Sequence, residues 1–137
     1  MYHTIIAVGN VGKDAEMRYT PSGQAVASFS VATNRSYTGA DGNEIKETIW
    51  FRVSAWGKQA EVCNNYVKKG MKVLVEGRLN ADKDTGAPRI WNAKDGTPRT
   101  SFEVTSSTVR FLSSRGDHEA TPEKDAGDPL PEDDVPF

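Results

Sequence analysis

One cysteine in 137 residues, Cys63, leaves no partner for an internal disulfide. The two histidines, His3 and His118, stand near opposite ends of the chain, and no Cys/His grouping has zinc-ligand spacing. No carboxylate cluster and no Ser/Cys–His pairing presents itself, so the expectation is a protein that is not an enzyme and that needs neither metal nor cofactor. No apolar run approaches the length of a membrane span. The first twelve residues lack a basic stretch ahead of their short apolar run, which excludes a secretory signal and points to the cytoplasm. Asn34-Arg35-Ser36 matches a glycosylation acceptor, but without a secretion signal it carries no meaning.

A chain of this length makes one domain with a core and a tail, not two domains. The charge divides accordingly. Residues 1–112 carry 15 Lys and Arg against 11 Asp and Glu, net +4; residues 113–137 carry 2 against 8, net −6, together the −2 of the chain. A mildly basic body with a strongly acidic tail is the first functional clue. The tail is rich in Ser, Gly, Asp, Glu and Pro with almost no apolar content, a composition that predicts disorder over 113–137.

Hydrophobic alternation supplies the strands. Tyr2 to Gly9 is a β-rich apolar stretch ended by Gly9-Asn10 and Gly12; extended structure resumes at Arg18-Tyr19 before a Pro21-Ser22-Gly23 turn. Gly9-x-x-Gly12-Lys13 is too short for a nucleotide-binding P-loop and lacks the following Ser or Thr. Ala25 to Thr33 alternates most clearly, with Ala25, Ala27, Phe29 and Val31 inward. Arg35 to Glu44 then reads as a polar loop with Tyr37 at its base, where an isolated tyrosine is by itself better explained by packing on the loop's stem.

The stretch from Ile49 to Trp56 is the unusual one. Ile49, Phe51, Val53 and Ala55 fall on one face, and Trp50, Arg52, Ser54 and Trp56 on the other. Two tryptophans bracketing an arginine have two readings: a stacking platform for flat bases and phosphates, or a face buried under a helix or another subunit. Lys58 to Lys69 reads as a helix with Ala60, Cys63 and Val67 on one side, Lys68-Lys69 at its end and Gly70 as C-cap. Cys63 is thereby a buried apolar residue, not a nucleophile. Val73, Val75 and Leu79 point inward on a fourth strand. Asn80 to Ser101 is a long irregular segment holding Trp91 between Arg89 and Lys94. Its Asp82-x-Asp84-x-Gly86 fails as a calcium loop, because the glycine is one place early and Ala93 replaces the closing glutamate. In the last strand, Phe102 to Leu112, the inward parity changes between Val104 and Val109, which requires a bulge near Ser106-Ser107. Five strands with one helix between the third and fourth is the order of an all-β OB-fold barrel, here residues 1–112.

On its motifs the chain resembles the bacterial-type single-stranded DNA-binding proteins. These are Val8-Gly9-Asn10-Val11-Gly12, Met17-Arg18-Tyr19-Thr20-Pro21-x-Gly23, Trp50-Phe51-Arg52-Val53, Gly57-Lys58-x-Ala60-Glu61, Lys69-Gly70 and Val75-Glu76-Gly77. The resemblance implies stacking of bases on Tyr37, Trp50, Trp56 and Trp91, and phosphate contacts from Arg18, Lys46, Arg52, Lys58 and Lys69. It also implies a homotetramer with the first strand in the dimer contact, and a nucleoid-associated role in replication, recombination and repair. Relatives can be basic just after the fourth strand, where this chain has Asn80 and Asp82; Arg89 is the candidate substitute. The tip Asp133-Asp134-Val135-Pro136-Phe137 matches the family's partner-docking tail, since acids leading to an aromatic residue with a free carboxylate suit a basic pocket with an apolar floor. The alternative is an OB-fold RNA binder of the cold-shock type, but those are much shorter and lack the helix and the tail.

Overall fold

Backbone pairing in the middle of the chain organises the rest. In a computed structural model that describes residues 1–113, β3 (Ala25–Thr38) and β4 (Glu44–Trp56) form one antiparallel hairpin, in register from Val26↔Trp56 to Thr38↔Glu44. Both strands outrun the alternation that announces them. The expected polar loop from Arg35 to Glu44 shrinks to residues 39–43, because a ladder whose register is set by its apolar half continues into polar sequence without needing a core beneath it.

Around this hairpin stand β1 (Ile5–Val11), β2 (Glu16–Tyr19), α1 (Lys58–Tyr66), β5 (Lys72–Leu79), β6 (Ile90–Asn92), β7 (Pro98–Thr100) and β8 (Phe102–Phe111). The sheet runs β1-β5-β8-β4-β3 and closes through a β1–β3 pairing, with β2 added outside β3; β4 and β8 pair in parallel, the other neighbours antiparallel. This is the expected five-stranded OB-fold barrel, its helix between the third and fourth barrel strands. Its core holds Phe29, Val31, Val53, Val73, Val75 and Val104, each at most 2% exposed.

The parity change in β8 is resolved as predicted. Gly77 faces Ser106 and Glu76 faces Thr108, so Ser107 is the extra residue of a bulge. Side chains secure it: Ser106 Oγ lies 2.6 Å from Gln59 Oε1, Gln59 Nε2 donates to the Ser107 carbonyl, and Ser107 Oγ donates to the Glu76 carbonyl. The helix is thereby tied to the bulge, and it fills its end of the barrel with Ala60 and Cys63, both fully buried. Burial pushes the Cys63 thiol up to about 11, which leaves it without the thiolate a nucleophile needs.

Three expectations are corrected. α1 ends at Tyr66, short of Lys69: Val67 turns extended to bury its own side chain, and Gly70 belongs to the turn that Met71 N–H closes on the Lys68 carbonyl. Leu79 has the inward parity but is exposed, because it lies past the last core layer at the open end of the barrel. Gly9 does not end β1; the strand runs on to Val11 to reach β3. The acidic tip Asp133, Asp134, Val135, Pro136 and Phe137 lies outside the described residues. Among the described residues, no helix is long and apolar enough to cross a membrane.

Gly9 is where β1 and β3 come closest, and a Cβ built there would collide with the Ala32 carbonyl oxygen. Gly9→Ala is therefore expected to destabilise the barrel by about 1–3 kcal/mol, the usual cost of overpacking. Urea titration followed by circular dichroism measures it; an unchanged midpoint would show that the seam has slack.

Candidate nucleic-acid interface

Pleat parity sorts β4 into two faces. Ile45, Glu47, Ile49, Phe51, Val53 and Ala55 share the core side, and the even-numbered residues share the outside. Cross-strand register then assembles rows on the outer face: Arg18–Val26–Trp56 across β2, β3 and β4; Ser30–Arg52–Glu103 across β3, β4 and β8; and Ala32–Trp50 across β3 and β4. Val26 and Ala32 are buried yet outside the core cluster, since each lies on this outer face opposite a tryptophan. The indoles themselves remain open, Trp50 at 53% and Trp56 at 42% exposure. Six residues of strand separate them by about 20 Å.

Trp50 has a defined seat. A Cβ on Gly12 would lie 2.6 Å from Trp50 Cζ3 and 2.9 Å from Ser30 Oγ, so the indole rests directly on the bare Gly12 backbone. Beside it opens a groove of about 490 Å³ lined by Lys13, Ser30, Trp50, Arg52, Ser101 and Phe102, among others. Trp91 does not line this groove itself but is tied to a residue that does, Ser101. It sits on β6, in the small β6–β7 sheet, and its indole Nε1–H donates to Ser101 Oγ at 3.1 Å.

The expected cations divide sharply. Among the described residues, the exposed side chains of Arg18, Lys46, Arg52, Lys58 and Lys69 enter no ion pair, and their charge is available to a ligand. Arg18 stands in the Trp56 row, Arg52 lies between the tryptophans, and Lys46 continues the same face along the hairpin opposite Ser36. Lys58 opens α1 just beyond Trp56, while Lys69 lies apart on the turn where its backbone N–H meets Asp14. Arg89 is different: its guanidinium lies 2.9 Å from Glu103, a carboxylate only 18% exposed. Its capacity to replace missing basic residues is reduced to that extent. Asn80 and Asp82, the departures from the family pattern, are engaged locally. Asn80 Oδ1 accepts from Thr105, and Asp82 Oδ1 accepts the N–H groups of Asp84 and Thr85, which hold its carboxyl below the usual range.

Tyr37 is not brought to the tryptophans. It pairs with Ile45 on the opposite face of the hairpin, donates its hydroxyl to Glu47 Oε1 at 3.3 Å, and carries the Arg35 guanidinium 4.8 Å from its ring centroid. The nearby Glu47 charge, followed by partial desolvation and the hydrogen bond, raises its hydroxyl pKa. This is the packing on the loop's stem that an isolated tyrosine suggests. Conversely, Lys13 and Phe102 line the groove and Gly12 lies under Trp50, roles that the sequence by itself did not assign them. Motif spacing does not reveal these places, which depend on β1 closing on β3 and β8 pairing with β4. Among the described residues, no three His, Cys, Asp or Glu side chains come together to hold a metal.

Comparison with known proteins gives a consistent picture. The Single-strand binding protein family matches residues 2–112. The single-stranded DNA-binding protein of Wolinella succinogenes is 39% identical over 116 residues, spanning 85% of this chain and 67% of that protein. Single-stranded DNA-binding protein 1 of Chlorobaculum tepidum is 34% identical and spans 97% of this chain and 96% of its own. Among solved structures, a deletion mutant of the Thermus aquaticus single-stranded DNA-binding protein superposes with a TM-score of 0.63 at 27% identity, covering 82% of this chain and 51% of that one. The Plasmodium falciparum SSB, solved in complex with ssDNA, superposes with a TM-score of 0.68; at 24% identity, over 82% of this chain and 97% of that one, it speaks for the fold alone.

The Gly12 seat can be tested without any ligand. Gly12→Ala is expected to keep the barrel folded but tilt the Trp50 ring, shifting its indole N–H cross-peak in a ¹H–¹⁵N spectrum while that of Trp91 stays in place. An unmoved Trp50 cross-peak would show that the ring is not seated there.

Proposed function

Because the chain belongs to the single-strand binding protein family, we propose that it binds single-stranded DNA with little regard to sequence. In this reading it binds DNA rather than transforming it, and it covers strands exposed during replication, recombination and repair. The observation that carries it is the outer face of β4, where two open indoles flank an arginine without an ion pair among the described residues. Every base has a π-face, so indoles accept any of the four; every nucleotide has a phosphate, so Arg18, Lys46, Arg52 and Lys58 grip the backbone without reading it. Release of counterions from the strand supplies much of the affinity and makes it depend on salt. The working unit is a homotetramer with β1 in the dimer contact, and partner proteins dock on the acidic tip from Asp133 to Phe137.

On titration with poly(dT), stacking should quench tryptophan fluorescence. Trp50→Ala and Trp56→Ala should each weaken binding by about 1–3 kcal/mol, the range characteristic of single-strand binders of this family rather than one computed from this geometry. Undiminished affinity in the double variant would remove the outer face from the proposal.

Replacing Arg52, Lys58 or Lys46 by Ala should weaken binding to every base composition alike. Each lost phosphate contact should make the log–log salt dependence shallower by about 0.7. An effect restricted to one base composition would contradict a backbone role.

Removing 133–137 should leave DNA affinity unchanged or slightly raised, with any gain shrinking as salt screens the acids. Recovery of DNA-processing proteins from a host lysate should be lost at the same time. Undiminished recovery by the truncated chain would end the docking role.

A further inference from the structure

The two mouths of the barrel are finished differently. α1 follows β4 past Trp56 and fills one mouth with Ala60 and Cys63. At the other, three residues of inward parity stand open instead: Ile49, Leu79 and Phe102. Phe102 is the outlier, a phenyl ring 51% exposed on the rim, with its centroid 6.0 Å from that of buried Phe51 and its plane tilted by 47°. An aromatic ring whose only task was to cap the core would be expected to turn more of its surface inward.

Phe102 also occupies a junction. It lines the groove that runs beside Trp50 and Arg52, and equally a second, mainly apolar slot of about 150 Å³ bordered by Leu79, Ala81, Ala87 and Pro88. A cavity of about that size admits one six-membered ring. Arg52 lines the groove on the approach without an ion pair among the described residues, whereas Lys13, which also lines it, is paired with Glu16 and Arg89 at the far side with Glu103. What fits an open phenyl ring, an apolar slot the size of one ring and an arginine on the approach is a further nucleotide of the same strand. The continuity of the groove with Trp50 favours this occupant over a protein segment or a second copy of the chain.

We propose that Phe102 is a further base-stacking residue: the strand leaves Trp50, crosses the open mouth of the barrel, and stacks a pyrimidine-sized base on Phe102 with its edge in the slot under Pro88. The inference rests on the single-stranded DNA reading above and adds to it a contact that lies off the outer face, on the rim.

The test uses the full chain and a fluorescently labelled dT oligomer, with binding followed by anisotropy at one fixed salt concentration. Wild type, Trp50→Ala, Phe102→Ala, Phe102→Leu and Phe102→Tyr are compared, with thermal melts alongside. Phe102→Ala and Phe102→Leu are expected to weaken binding by about 5- to 150-fold, the loss that goes with one stacked base. Phe102→Tyr, which restores a ring, should bind as wild type does. On an abasic deoxyribose-phosphate oligomer of equal length, the wild type and all three Phe102 variants should bind alike. Should Phe102→Ala fail to fold, the Leu and Tyr variants decide, since leucine keeps an apolar cover on Phe51. Wild-type affinity for dT in Phe102→Leu, or an equal loss on the abasic oligomer, overturns the proposal. If Trp50→Ala weakens binding while Phe102→Leu does not, only the rim contact falls; if neither does, the outer-face reading fails with it.

Discussion

Closure of the barrel between β1 and β3 is the constraint on which everything else depends. β1 already pairs along its length with β5, and it must also deliver Asn10 and Val11 to Ala32 and Val31. The two backbones meet where Gly9 has no side chain, so the seam closes without a bulge in β3. Closure determines which side of β4 is inside, because a strand with period-two side chains in a closed barrel has no freedom to turn over. Once Phe51, Val53 and Ala55 are committed to the core, Trp50, Arg52 and Trp56 have only the outside. The same seam carries Gly12 to the spot on which Trp50 rests.

Charge follows the same geometry. The body is only mildly basic, and an even scatter of its cations among neighbouring acids would leave little net attraction for a polyanion. Among the described residues, three cations pair with acids: Lys13 with Glu16, Arg35 with Glu47 and Arg89 with Glu103. Those aligned with the tryptophans, Arg18, Arg52 and Lys46, do not pair among the described residues. Cross-strand register on β3 contributes to this division, placing Val26 beside Arg18, Ser30 beside Arg52 and Ser36 beside Lys46; on the β8 side Arg52 faces Glu103, whose carboxylate is held by Arg89. A small net charge is concentrated where stacking also occurs, and an arginine beside an indole grips phosphate and base together.

Alternation was legible wherever one side of a strand is buried. It located the core of β3 and β4, the buried side of the helix and, from a change of parity alone, the bulge that falls at Ser107. It went silent along the outer half of the β3–β4 hairpin, where both sides meet water and backbone pairing alone sustains the strands. It misdirected at the rim, where Leu79 keeps the inward parity but the barrel ends before it can be covered. Spacing along the chain does not say on which side of a twisted ribbon Tyr37 lies; its pairing with Ile45 does.

By itself, then, the sequence determined the secondary-structure periods, the OB-type order of elements, the residues committed to the core, the tryptophan–arginine pattern on one strand and the polarity between basic body and acidic tail. These properties depend on neighbours along the chain or on totals, and they survive without a fold. Tertiary structure alone decided which cations lie next to which rings, that Gly12 seats Trp50, that Glu103 holds Arg89, and that Phe102 stands open between two cavities. Each of those brings together residues from strands far apart in the chain, and only closure of the barrel gives such pairs a distance.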